Sequence, residues 1–159
     1  MELEGSCHCG AVRFRVSSGE PCPFNLCYCS ICRKTAGGGG YAINLGADHA
    51  TLQATGRDHI TVYHARLRDA DGNVTESPAQ RHFCRTCGSG LWVWDPRWPE
   101  LVHPFASAID TPLPRPPERT HMMLDARPDW VEFQPGERDQ TFPGYPDESL
   151  AEWHRRLGL

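Results

Sequence analysis

The chain has 159 residues, of which 39% are hydrophobic and 23% charged, and its formal net charge is −4. That length suits one domain, residues 1–159, with room for a core, while the acidic balance and the lack of a paired-Cys, paired-His finger argue against nucleic acid as a partner. No apolar run approaches the roughly 20 residues of a membrane span, and Met1-Glu2-Leu3-Glu4-Gly5 lacks the basic start and apolar stretch of a secretory signal, so a cytoplasmic protein with no membrane partner is expected.

In chain order, Ala11 to Val16 alternates apolar and basic residues, the pattern of a half-buried strand, and follows directly on Cys9-Gly10. Ser18-Gly19-Glu20-Pro21 reads as a turn. Arg33 to Ala36 reads as a short helical turn ended by the run Gly37 to Gly40, which can form a loop or let backbone approach a ligand. That run lacks the Gly-Lys-Ser/Thr ending of a phosphate loop. Tyr41 to Leu45, Ala50 to Ala54 and Ile60 to His64 are short strand candidates. Asp71-Gly72 signals a hairpin joining the strand near Tyr63 to one near Val74.

Gln80 to Phe83, Leu91 to Trp94 and Leu101 to Ala106 continue the strand pattern. Asp110 to Glu118 holds four prolines and reads as a stiff surface connection. His121 to Leu124 and Trp130 to Phe133 are further short apolar pieces. Only the end reads as a convincing helix, with Asp147 as cap, Leu150, Trp153 and Leu157 on one face, and Gly158 as stop. The sum is a mainly β protein with a short C-terminal helix.

The chemistry lies in the eight cysteines. In a reducing compartment they read as metal ligands rather than disulfides, and thiolates select zinc or iron–sulfur chemistry over hard ions. Cys84-Arg85-Thr86-Cys87-Gly88 has the form of a zinc knuckle, with Gly88 relieving the tight turn. Cys7-His8-Cys9 is a tighter pair that needs two more ligands from elsewhere. Cys27-Tyr28-Cys29-Ser30-Ile31-Cys32 places three thiols within six residues. Spacing alone leaves the partition open. Cys29 and Cys32 with Cys84 and Cys87 would make an ordinary zinc ribbon and strand Cys7, Cys9 and Cys27. Joining Cys7, Cys9, Cys84 and Cys87 keeps the trio intact and is preferred.

Three stretches carry a resemblance: Gly5-Ser6-Cys7-His8-Cys9-Gly10-Ala11-Val12, Cys27-Tyr28-Cys29-Ser30-Ile31-Cys32-Arg33 and His82-Phe83-Cys84-Arg85-Thr86-Cys87-Gly88-Ser89. Together with His121 to Trp130, they resemble the glutathione-dependent formaldehyde-activating enzyme family. The resemblance implies a zinc-binding β-tent of small antiparallel sheets. It implies two zinc ions per chain, one structural on Cys7, Cys9, Cys84 and Cys87 and one catalytic on Cys27, Cys29 and Cys32. It also implies a carbon–sulfur lyase that joins formaldehyde and glutathione into S-hydroxymethylglutathione.

The trio suits a sulfur substrate on its own chemistry. Three thiolates on a zinc ion leave a net negative site, poor at activating water, with one position open to a fourth thiol that would bind as thiolate. Cys22, five residues before Cys27, could instead close that position and make the second site structural; as a small buried thiol it is more simply a core residue. Arg33 is a candidate for a glutathione carboxylate, in the forked geometry that guanidinium allows. His8 and His82 flank ligand cysteines and could replace a ligand or move a proton, although a structural role is the plainer reading. Trp92 and Trp94 share a strand face and read as core. Beside the thiol-adduct enzyme stand two alternatives: the same scaffold acting on another small substrate, and a binding module whose metals are only structural.

Overall fold

The computed structural model describes residues 1–159. In chain order the strands are β1 (Glu2–Ser6), β2 (Arg13–Ser17), β3 (Phe24–Cys27), β4 (Ala42–Asn44), β5 (Ala47–Asp48) and β6 (Gln53–Thr55). They continue with β7 (Ile60–Arg68), β8 (Val74–Cys84), β9 (Gly90–Trp94), β10 (Leu101–Pro104), β11 (Arg119–Met122) and β12 (Gln140–Thr141). Helix α1 (Ser30–Thr35) follows β3, and α2 (Leu150–Leu157) ends the chain. The strands make three small sheets, ordered β1-β2-β6, β5-β10-β9-β8-β7 and β12-β11-β3-β4. The protein is mainly β, as expected, and no helix is long and apolar enough to cross a membrane.

Alternation dictates β2: Phe14 and Val16 are buried while Arg13 and Arg15 are exposed. Its neighbour β1 escaped the sequence reading because Glu2-Leu3-Glu4-Gly5 shows only one large apolar residue. Gly5 sits opposite Phe14 in the ladder, and a Cβ on it would come within 2.3 Å of the Phe14 ring. The partner's aromatic side chain fills the space that residue leaves, so β1 is half-buried without looking so.

The Asp71-Gly72 hairpin forms as expected, but its strands run further than the sequence pattern reached. Asp69 tightens the turn by accepting the Asn73 N–H at 2.8 Å. The expected strand at Ala50 is replaced by a 3-10 turn over His49–Thr51, where Asp48 accepts the Ala50 N–H, and β6 begins after it at Gln53. Trp130 to Phe133 forms no strand; Trp130 is exposed and Val131 buried.

Two further details differ from expectation. The sheets are not all antiparallel, because β11 runs parallel to both β3 and β12. A connection of about ninety residues separates β3 from β11, so no tight turn forces them to oppose. The cap of α2 is Ser149 rather than Asp147. Ser149 and Glu152 close a reciprocal capping box, which satisfies two backbone donors where Asp147 could serve one. Trp153 then docks the helix, fully buried with its indole N–H donating to Glu118 at 2.8 Å, and Gly158 ends it in the left-handed conformation.

The five-stranded sheet has two working faces. Trp92, Trp94 and Val102 point into the larger core with Leu3, Phe14 and Val16, the Trp92 ring meeting Phe14 edge-on at 5.1 Å. Trp92 is core, as read, and Trp94 is half-buried against it. Arg81 and Val93, opposite one another in the ladder, lie on the other face, where Val93 packs against the cluster formed by Cys27, Cys32, Ala42 and Phe105.

Candidate metal centres

Two turns from distant parts of the chain meet to gather four thiols. The first leaves β1 at Ser6 and curls through Cys7 to Gly10, whose N–H returns to the Cys7 carbonyl at 2.9 Å. The second ends β8 at Cys84 and curls to Gly88, whose N–H returns to the Cys84 carbonyl at 2.8 Å. Both glycines have φ of +75°, a conformation that suits residues without a Cβ and that lets each turn reverse directly behind its sulfurs. The His8 N–H donates to the Ser89 hydroxyl at 3.1 Å and ties one turn to the other.

Cys7 and Cys84 are buried, and Cys9 and Cys87 face solvent. The sulfurs of Cys7, Cys9, Cys84 and Cys87 all lie within 4.8 Å of one another, with Cys7 to Cys9 at 3.5 Å and Cys9 to Cys84 at 3.8 Å. A tetrahedral ion with metal–sulfur bonds of about 2.3 Å needs sulfurs about 3.8 Å apart. The donor set and spacing therefore fit one soft ion. Donors favour anionic sulfur at Cys87 and Cys7. The Ser89 hydroxyl and backbone N–H hold the Cys87 thiol down to about 5. Burial works to raise Cys7, yet the Val12 N–H at 3.2 Å and the neighbouring thiols bring it below its ordinary value.

The trio is built on one continuous segment. β3 delivers Cys27 at its last residue, Cys29 caps α1 by accepting the Cys32 N–H at 3.3 Å, and Cys32 lies in the first turn of that helix. The three sulfurs also fall within 4.8 Å of one another, and no other Cys, His or carboxylate joins them. The neighbouring Cys27 and Cys32 thiols hold the Cys29 thiol down to about 2, while Cys29 and Cys32 push Cys27 up. Crowded in this way, the three can ionise together only around a cation. Ala36, Val93, Phe105, Met122 and Met123 pack about them and make the surroundings apolar.

Tyr28, between two of these thiols, points the other way into a buried polar chain. Its hydroxyl meets His121 Nδ1 at 2.9 Å, and His121 Nε2 meets Asp139 Oδ2 at 3.2 Å. Asp139 also accepts from the Arg119 backbone and guanidinium and from the Gly136 N–H. Burial lowers His121, so the neutral ring accepts from Tyr28 and donates to Asp139. This chain clamps β11 to β3 directly beside the trio.

The remaining sequence candidates separate cleanly. Cys22 is buried but stands outside both clusters. Four residues lie between it and Cys27, three of them, Phe24 to Leu26, extended in β3, and its carbonyl accepts from His154. Neither His8 nor His82 enters a cluster; His82 stacks on Trp92 at 5.0 Å, and burial lowers it to about 4. Arg33 is half-buried, with its Nε lacking a partner. Two features went unread in the sequence. One is the Tyr28–His121–Asp139 chain, whose members lie up to 111 positions apart. The other is Arg81, whose Nη1 approaches Cys32 Sγ at 3.7 Å. The alternation of β8 could have placed Arg81 on a face, but nothing local shows what that face meets.

The sequence model of the glutathione-dependent formaldehyde-activating enzyme family matches residues 2–124. A Halomonas elongata protein provisionally named as such an enzyme is 67% identical over 159 residues, covering 100% of this chain and 98% of that one. The crystal structure of a Rhodobacter sphaeroides protein, a structural-genomics target, superposes with a TM-score of 0.52 at 29% identity, over 72% of this chain and 93% of its own.

Proposed function

The chain belongs to the glutathione-dependent formaldehyde-activating enzyme family, and from that premise we propose that it joins formaldehyde to glutathione as a carbon–sulfur lyase working in the synthetic direction. The observation that carries this reading is a cluster of three thiols, Cys27, Cys29 and Cys32, with no fourth protein donor. Cys7, Cys9, Cys84 and Cys87 would hold a structural zinc, and the trio a second zinc with one position open to substrate. Zinc in the trio supplies a Lewis acid that favours the thiolate of an incoming thiol at neutral pH.

The protein's own residues set the rest. Val93, Phe105, Met122 and Met123 exclude water from the approach, so the aldehyde meets sulfur rather than solvent. Arg33, next to Cys32 on α1, pairs with a glutathione carboxylate through its forked donors. The bond that forms is between the thiol sulfur and the formaldehyde carbon. The carbonyl π pair moves to oxygen, and the proton lost from the thiol ends there, giving the hydroxymethyl thioether. In reverse the same bond breaks and both reactants return.

The test is exchange between formaldehyde, glutathione and their adduct, followed by NMR with both sites zinc-loaded. The proposal expects exchange well above the spontaneous rate, lost in Cys29→Ser. Exchange no faster than buffer with two zinc ions bound would overturn it.

A further inference from the structure

Arg81 occupies a place unusual for a cation. It lies mid-strand on β8, opposite Val93 of β9 and Tyr63 of β7, on the sheet face that meets the trio. Residues directly opposite in a ladder share a face, and Val93 marks that face as the one against the cluster that holds Cys27 and Cys32. The Arg81 side chain has one polar contact, Nη1 to Cys32 Sγ at 3.7 Å. No carboxylate pairs with it, whereas the more exposed Arg119 pairs with Asp139 and Arg156 with Glu118 and Glu148. Its Nε is buried with no acceptor. A guanidinium placed this way carries an unmatched charge, and the group positioned to match it is the sulfur of Cys32, itself buried.

We propose that Arg81 is a positioning residue that compensates the charge of the thiol trio and so lets it accept a fourth, anionic thiolate. Three thiolates around a divalent ion carry −1, and a bound substrate thiolate makes that −2. In apolar surroundings the second negative charge is what limits affinity. Arg81 returns one positive charge at the ligand shell. Its N–H also draws density from Cys32, which leaves the ion a stronger acceptor for the incoming sulfur. The exposed quartet, with Cys9 and Cys87 in water, has no such cation within hydrogen-bonding distance of its sulfurs. It binds no fifth ligand and needs none. The compensating role presupposes a metal-binding trio with an open position, and the test separates the two ideas.

The full chain, stripped of metal, would be titrated with Co²⁺ and with Zn²⁺ against a competing chelator, then with glutathione, in wild type, Arg81→Gln and Arg81→Lys. The sulfur-to-cobalt charge-transfer bands report the ligand shell directly. In Arg81→Gln we expect the trio's metal affinity and its glutathione affinity each to fall roughly 10- to 100-fold. The quartet should be unchanged, and Arg81→Lys should restore much of the loss. Arg81→Met keeps the aliphatic stem and serves if Arg81→Gln does not fold. A folded neutral variant with wild-type metal affinity, band energies and glutathione affinity would overturn the role of Arg81 alone. So would a lysine variant no better than glutamine. Wild type that binds metal only at the quartet would overturn the metal reading of the trio and this role with it.

Discussion

Replacing Asp139 with asparagine should loosen the clamp behind the trio. The Asp139 carboxylate takes the Arg119 N–H at 2.8 Å on one oxygen. On the other it takes the Arg119 guanidinium at 2.6 and 2.9 Å, the Gly136 N–H at 2.7 Å and His121. Its side chain is 6% exposed, while that of Arg119 is 41% exposed. Asparagine keeps the shape but removes the charge and must face some of these donors with its own N–H₂.

Breaking a buried pair from one side costs about 3–5 kcal/mol. The exposure of Arg119 lets water recover part of that, so roughly 2–4 kcal/mol is expected, or about 5–15 °C in Tm for a chain of this size. Urea unfolding of the zinc-loaded protein at pH 7.5 would measure it. The charge also gives the effect a pH signature. Burial works to raise the Asp139 carboxyl, but Arg119 and the two backbone N–H groups bring it well below the usual carboxylate range. A depressed carboxyl stabilises the fold fully above its unfolded value of about 3.9 and loses that contribution as pH falls through the folded value. The gap between wild type and variant should therefore narrow below about pH 4. A cost under about 0.5 kcal/mol, in the range of ordinary surface substitutions, would refute the clamp.

Three further outcomes follow from other parts of the molecule. Burial lowers His82 to about 4, so its neutral form favours the fold until pH drops below the unfolded value near 6.5. His82→Phe, which keeps the stack on Trp92, should reduce the stability lost between pH 8 and pH 5 by roughly 1–2 kcal/mol, after allowing for the part of the ring that water screens; an unchanged pH profile in urea titrations would contradict this. Cys22→Ala should leave two zinc ions per chain by elemental analysis, and loss of one would return Cys22 to the second site. Ser149→Ala should cost about 1 kcal/mol and raise amide exchange in the first turn of α2, whereas a neutral result would mean that Trp153 and the Glu118–Arg156 pair alone hold the helix.

The thiols were the most legible part of the chain because their spacing is itself the chemistry. Two residues between Cys84 and Cys87, and a glycine after them, set a turn that the fold reproduces. The trio needs only β3 and one helical turn to bring its sulfurs together. The placement of Cys22 was harder to read, since the four residues between it and Cys27 can coil back or extend. The ladder of β3 with β4 and β11 decides for extension. β1 was hidden because Phe14 of its partner covers Gly5, a relation that exists only across strands. The parallel pairing of β3 with β11 and the contact of Arg81 with Cys32 are likewise properties of sheet assembly. Periodicity reports which side of a strand is buried and not what it is buried against.

Anomalous diffraction across the zinc absorption edge, on zinc-loaded crystals with and without glutathione, tests the central claim most directly. Two peaks are expected. One should lie among Cys7, Cys9, Cys84 and Cys87, and the other on Cys27, Cys29 and Cys32 with a fourth ligand from outside the chain that glutathione sulfur replaces. A trio that stays empty after reloading, or one whose fourth ligand comes from the protein itself, would contradict the account.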